Sequence, residues 1–185
     1  MPGFWSWKRK SNLEESPAEE AEVTPVLESV EIFTSDRLIR AQVEAGGKRL
    51  SDILNGTYDL VIFNPQSFAF DGAADMNESL EGEYTINTDD IRIVLPPMRV
   101  SSRQMRVHRR RRRVEAQLGE LFIAGSVHLN PGAELNPMAW RKQMRFIPLT
   151  NVYVRRDGEN VIEREADVVL VNVGPINELR EVDVS

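Results

Sequence analysis

The chain contains no cysteine among its 185 residues. That absence removes disulfides, thiolate zinc sites and thiol nucleophiles together. It fits a reducing compartment, and a cytoplasmic location is the expectation. Histidine is scarce, with His108 and His128 the only two. No apolar run approaches the roughly 18 residues that a spanning helix needs. Residues 1–10 lack the order of a secretory leader, because the basic residues follow the apolar ones and no long apolar core comes next. No Gly-rich phosphate loop, GxSxG or HExxH pattern occurs. His128 falls in an apolar-rich strand, alternating with Ser126, with no paired His or carboxylate at ligand spacing; a half-exposed strand histidine is expected there. These absences predict a protein that is not an enzyme and holds no cofactor or metal. The net charge of −6 does not favour nucleic acid or an anionic membrane as a bulk partner.

What the chain does contain is one pattern written twice. Val30-Glu31-Ile32 through Arg37-Leu38-Ile39-Arg40-Ala41-Gln42-Val43 matches Val114-Glu115-Ala116 through Glu120-Leu121-Phe122-Ile123-Ala124-Gly125-Ser126-Val127 at constant spacing. One inserted residue then brings Leu50 onto Leu135 and Val61-Ile62 onto Phe146-Ile147. Further on, Asp90-Ile91-Arg92-Ile93-Val94 resembles Asp167-Val168-Val169-Leu170-Val171. Self-similarity of this kind bears on architecture before any single residue is interpreted. Two units of about 65 residues are each marginal alone, since small domains bury a lower fraction of their surface. They are expected to pack on each other or on a partner.

Residues 1–29 read as a flexible acidic tether with a Trp-rich, basic start. Unit one spans 30–98. A hairpin turns over Ser35-Asp36-Arg37 and ends at Gly46-Gly47. Leu50-Ser51-Asp52-Ile53-Leu54-Asn55-Gly56 makes one short helical turn at most, stopped by Asn-Gly. A strand over 60–70 contains Pro65, which predicts a bulge or an edge. Residues 71–90 form a loop with seven acids and no base, lacking the alternating aspartates of a calcium loop. A last strand covers 91–95. Residues 99–113 connect the units, and unit two spans 114–185, with Arg156-Asp157-Gly158-Glu159 as a turn. Its strand over 167–173 is nearly all apolar, so both faces should be covered. Short β-branched strands bounded by Gly, Pro, Asn or Asp predict an all-β protein: two small, strongly bent sheets or barrels in tandem.

Two stretches carry a resemblance. Leu50-Ser51-Asp52-Ile53-Leu54-Asn55 and Phe146-Ile147-Pro148-Leu149-Thr150-Asn151-Val152-Tyr153-Val154 resemble the "RLSD-x-LN" and "FIPLT-x-x-x-V" signatures of an uncharacterised bacterial small β-domain family. Each unit keeps one half of that pattern. The resemblance supplies no catalytic residues. The order hairpin, turn, hairpin, final strand is also similar to the Sm-like barrel, with Gly125 in the second strand. The Asp-x-x-x-Asn loop by which Sm-like proteins hold RNA is not evident in either unit.

Two features stand out as candidate sites. The first is the arginine cluster: Arg99, Arg103, Arg106, Arg109, Arg110, Arg111, Arg112 and Arg113, eight positive charges in fifteen residues. The alternation of Val114, Ala116 and Leu118 points Arg112 and Arg110 inward, where a bare charge is costly. The strand is therefore expected to begin near Arg112. Three roles stay open: binding phosphate with counterion release, pairing with the acids of 71–90 or 14–31, or a solvated linker. No aromatic is interleaved, which weakens base stacking. The second is Phe4, Trp5, Trp7, Lys8, Arg9 and Lys10, a candidate docking motif. Trp is a common anchor in a partner's groove, and Trp beside basic residues suits a membrane interface. The expected partner is a protein or a second copy. Nucleic acid is the alternative, and the N-terminus adds a weak peripheral membrane contact.

Overall fold

The computed structural model describes residues 26–70, 78–97, 110–130, 132–158 and 161–182. The first half contributes β1 (Leu27–Phe33), β2 (Arg37–Glu44), α1 (Leu50–Gly56), β3 (Asp59–Ala69), β4 (Glu78–Ser79), β5 (Glu83–Asn87) and β6 (Ile93–Leu95). The second half contributes β7 (Arg110–Leu118), β8 (Leu121–Leu129), α2 (Pro137–Arg141), β9 (Phe146–Arg156), β10 (Ile162–Asn172) and β11 (Glu178–Glu181). The protein is all-β. Its strands form one antiparallel sheet in the order β11-β7-β8-β9-β10-β6-β1-β2-β3, with β4 and β5 both on the far side of β3. No helix of the described residues is long and apolar enough to cross a membrane.

The ladders of the two halves run in matching registers. Ile32 faces Ile39 in β1–β2, and Ala116 faces Ile123 in β7–β8. β2–β3 slips between Arg40 and Gln42, and β8–β9 slips between Ala124 and Ser126. These bulges fall at Ala41 and Gly125. Opposite them, Asn64 and Asn151 adopt φ of 49° and 50°, a left-handed conformation that asparagine tolerates better than most residues. Glu31 faces Leu95 in β1–β6, and Glu115 faces Arg180 in β7–β11. The junction is strand on strand: Leu170 and Val171 of β10 face Val94 and Ile93 of β6.

Alternation along the strands sends apolar side chains to two cores. One contains Val30, Ile32, Ile39, Leu60, Ile62 and Ile86, together with Phe146 and Leu170 from the second half. The other contains Val114, Ala116, Ile123, Leu149 and Val171, together with Phe33, Leu38, Phe70 and Ile93 from the first half. Neither half closes its core without the other. The final residues of β10 are buried on both faces because β6 and the first-half core cover them.

Several expectations are corrected. The acidic stretch 71–90 is not all loop: Glu78–Ser79 and Glu83–Asn87 are strands, since Tyr84, Thr85 and Ile86 suit a ladder beside β3. The last strand of the second half is β11, which sequence patterning missed because Glu178-Leu179-Arg180-Glu181 offers one apolar residue. Consequently β6 answers to β11 in its pairing, not to 167–171. The third-strand match is displaced by two residues: Ile62 and Leu149 occupy like ladder positions, facing Tyr84 and Val169. α1 runs for seven residues, held by buried Leu50 and Leu54 one turn apart. β1 takes in Leu27–Ser29, which the tether was expected to hold. Pro65 lies at the bulge beside Asn64, and Pro148 faces Leu170. Pro65 therefore marks a bulge and not a sheet edge, and β3 and β9 both have strands on each side.

Candidate functional site

β7 begins at Arg110, earlier than expected, so four arginines lie within a strand. The strand extends this far because β8 pairs with its whole length, from Arg110 opposite Leu129 to Leu118 opposite Leu121. On its other side, among the described residues, β11 pairs with Val114 to Gln117. One further bond runs from the Val182 N–H to the Arg113 carbonyl at 3.0 Å. Arg110 and Arg111 are exposed, while Arg112 and Arg113 are half-buried.

The two half-buried guanidinium groups have partners. Arg112 Nη1 donates to Glu181 Oε1, a carboxylate in neither of the two acidic stretches that were candidates. Arg113 Nη1 donates to the Asn151 carbonyl at 3.1 Å, a group freed by the β9 kink. Arg110 and Arg111 form no ion pair among the described residues. Beside this edge, Glu115 and Arg180 pair at 2.5 Å across an open depression that Gln117, Phe122 and Glu178 complete. Arg99, Arg103, Arg106 and Arg109 lie outside the described residues, as do Phe4, Trp5, Trp7, Lys8, Arg9 and Lys10. His128 is half-buried in β8 with Nε2 2.8 Å from Thr150 Oγ1. No group of three His, Asp or Glu among the described residues is placed to hold a metal ion.

A second polar constellation, unforeseen from sequence, sits at the junction. Asn55 Oδ1 accepts from the N–H groups of Arg145 and Phe146 at 2.7 and 2.8 Å. Arg145 donates to the Thr57 carbonyl at 3.1 Å and to Thr88 Oγ1. Its guanidinium lies 4.3 Å from the Tyr58 ring centroid and 3.7 Å from Asp89 Oδ1. Asn172 Nδ2 donates to the carbonyls of Thr88 and Ile91 at 3.3 and 2.8 Å. Buried Arg156 similarly reaches the first half, its guanidinium 4.2 Å from the Phe70 ring centroid while it pairs with Glu120 at 2.5 Å. These are isolated polar residues in sequence, and only the paired strands bring them together. Burial raises the pKa of Asp90, and neighbouring Asp89 raises it further.

Comparison with protein-family models, curated proteins and solved structures finds no match. The chemistry of the site therefore rests on its own geometry: a basic strand edge at one end of the sheet and a polar clasp at its middle.

Proposed function

We propose that the chain is a non-catalytic protein-interaction module, built from two copies of one five-stranded unit in the Sm-like strand order. The matching registers support that reading. In each half the fifth strand lies beside the first, and the order continues through the second and third to the fourth: β6-β1-β2-β3-β5 and β11-β7-β8-β9-β10. Membership of the bacterial small β-domain family and a cytoplasmic location belong to the same proposal.

The contact surface is the basic end of β7. One observation carries this: among the described residues β7 continues past β11 and presents exposed Arg110 and Arg111 beside a short, incompletely paired edge. Such an edge accepts an added strand through its backbone. The arginines select an acidic one, since guanidinium and carboxylate match in charge and fork geometry. Glu181 against Arg112 is an internal sample of that contact. Nucleic acid is the opposing outcome. The net charge of −6 and the lack of aromatics in the run disfavour it.

Fluorescence anisotropy with a glutamate-rich peptide and with single-stranded RNA tests the reading. At about 150 mM salt, where charges are screened beyond roughly 8 Å, the peptide should bind and the RNA should not. Arg110→Ser with Arg111→Ser should remove peptide binding. RNA binding with a log-log salt slope near −0.7 per phosphate contacted would put the nucleic-acid reading first.

A further inference from the structure

The β6–β10 junction uses one edge of each half. The corresponding edges, β5 in the first half and β11 in the second, stand at the two ends of the sheet with no further strand among the described residues. We propose that these ends form a plugged copy of the same junction, and that its partner is a second copy of this chain. The β5 edge of one copy would lie beside the β11 edge of the next, with Arg141 as the plug. This inference rests on the repeated-unit reading and goes beyond the acidic-peptide contact.

The polar clasp of the junction is prebuilt at both free ends. At the junction, Asn172 Oδ1 accepts from the Gly174 N–H at 2.9 Å, which aims Nδ2 at the Thr88 and Ile91 carbonyls. At the free β5 end, Asn87 Oδ1 accepts from the Asp89 N–H at 2.8 Å. Asn87 takes the ladder place of Asn172: it faces Asp59 as Asn172 faces Phe146. It is exposed, and its Nδ2 has no partner among the described residues. At the receiving end, the carbonyls answering to those of Thr88 and Ile91 are Val173 and Ile176. Both are taken by one side chain. Arg141 Nε donates to the Val173 carbonyl at 3.0 Å and Nη2 to the Ile176 carbonyl at 3.1 Å.

The backbone at the two receiving edges also corresponds. The Arg92 N–H donates to the Phe33 carbonyl at 2.7 Å, and the Asn177 N–H donates to the Gln117 carbonyl at 2.9 Å. The Asn172 N–H then bonds the Arg92 carbonyl at 2.9 Å, so the Asn177 carbonyl is the acceptor awaiting Asn87. What differs is the outer face. Asp59 and Thr85 stand where Phe146 and Leu170 seal the junction, and Gln117 and Glu178 stand where Phe33 and Ile93 do. The contact between copies is therefore polar and reversible. Asp59, Glu83 and Asp89 at the β5 end face Arg141, Lys142 and Arg180 at the β11 end, with Glu178 and Glu181 the opposing charges, Glu181 being held by Arg112. The contact is head to tail, so copies add in one direction. Arg141 is exposed, so its side chain can swing away without opening the core.

The cysteine-free chain allows a direct test by disulfide trapping. Leu170 and Val94 are cross-strand partners at the junction, and their counterparts are Thr85 and Leu179. A mixture of the Thr85→Cys and Leu179→Cys single variants should form mixed dimers under mild oxidation, and neither variant alone should. Adding Arg141→Ala should raise the trapped yield by roughly tenfold, the scale on which one lost pair of competing hydrogen bonds shifts an equilibrium. Asn87→Ala should lower it. Thermal melts of each variant establish that it folds, and Arg141→Lys, which cannot span both carbonyls, serves as a second unplugged form. Mixed dimers no more abundant than with a Glu44→Cys control, or yields indifferent to both Arg141 substitutions, would overturn the proposal. A Val94→Cys, Leu170→Cys chain should close an internal bridge whatever copies do, since the two positions are cross-strand partners. Its closure shows that a bridge forms at this ladder position, so absent mixed dimers count against the contact between copies, while the repeated-unit reading is tested apart from it by the ladders within each half.

Discussion

Asn55 holds Phe146 by both of its backbone polar groups, accepting from the Phe146 N–H at 2.8 Å and donating to the Phe146 carbonyl at 3.0 Å. One side-chain amide thus substitutes for a strand at the start of β9. The same Asn55 bonds its own helix at the Ser51 carbonyl, 2.8 Å away. The short helix of the first half is thereby tied to the second half.

Asn55→Ala should lower stability by about 1–3 kcal/mol, because buried Phe146 loses backbone partners that water does not freely replace. Chemical denaturation of wild type and variant measures the difference. Loss of less than about 0.5 kcal/mol, the scale of an ordinary surface change, would show that the clasp contributes little to joining the halves.

Leu170→Ala should cost about 2–5 kcal/mol, the range for a buried leucine. The location of the damage is the informative part. Leu170 belongs to the second half but packs in the first-half core. Amide exchange at Ile32 and Ile62 should therefore accelerate more than exchange at Leu118. Damage confined to second-half amides would contradict the shared core.

Gly125 occupies the β8 bulge, where an added Cβ would lie 3.1 Å from Val152 Cγ2 and 3.3 Å from Leu149 Cβ. Ala41 fills the corresponding place in β2. Gly125→Ala should destabilise by about 1 kcal/mol and Gly125→Val by about 1–3 kcal/mol, the overpacking range. Urea midpoints order the three proteins. A neutral Gly125→Val would mean that Leu149 and Val152 yield freely.

Asp90 gives a pH dependence of defined sign. Its folded pKa lies above the ordinary 3.8, first by burial and then by Asp89. The stabilising contribution of its protonated form is fully present below the unfolded pKa and is lost as pH rises through the raised folded value. At neutral pH the charged carboxylate works against the fold. Asp90→Asn should raise Tm near pH 7, and the gain should vanish below about pH 3, where the wild-type side chain is neutral. Melts across that interval test it, and a gain independent of pH would exclude titration of Asp90 as the cause.

The strands of the hairpins were legible because Val30, Ile32, Ile39, Val114, Ala116 and Ile123 alternate over long enough runs. The mainly β class followed from them. β11 escaped because Leu179 alone supplies its apolar signal, and β5 escaped because it lies within a stretch of seven acids, 71–90, that reads as loop. The arginine run was visible as charge, but its pairing was not. Glu181, far away in sequence, meets Arg112 only once β11 docks on β7. The clasp was invisible for the same reason. Asn55 reads locally as a helix stop, and Asn172 as an ordinary strand end.

The repeat of one five-stranded unit is tested most directly by nuclear Overhauser contacts between strands in solution. Cross-strand contacts should link Ile32 to Ile39 and Ala116 to Ile123, slip by one residue at Ala41 and at Gly125, and join Leu170 to Val94. Matching ladders in both halves with that single junction are the expected result. A different register in either half, or no contact between β10 and β6, would contradict it.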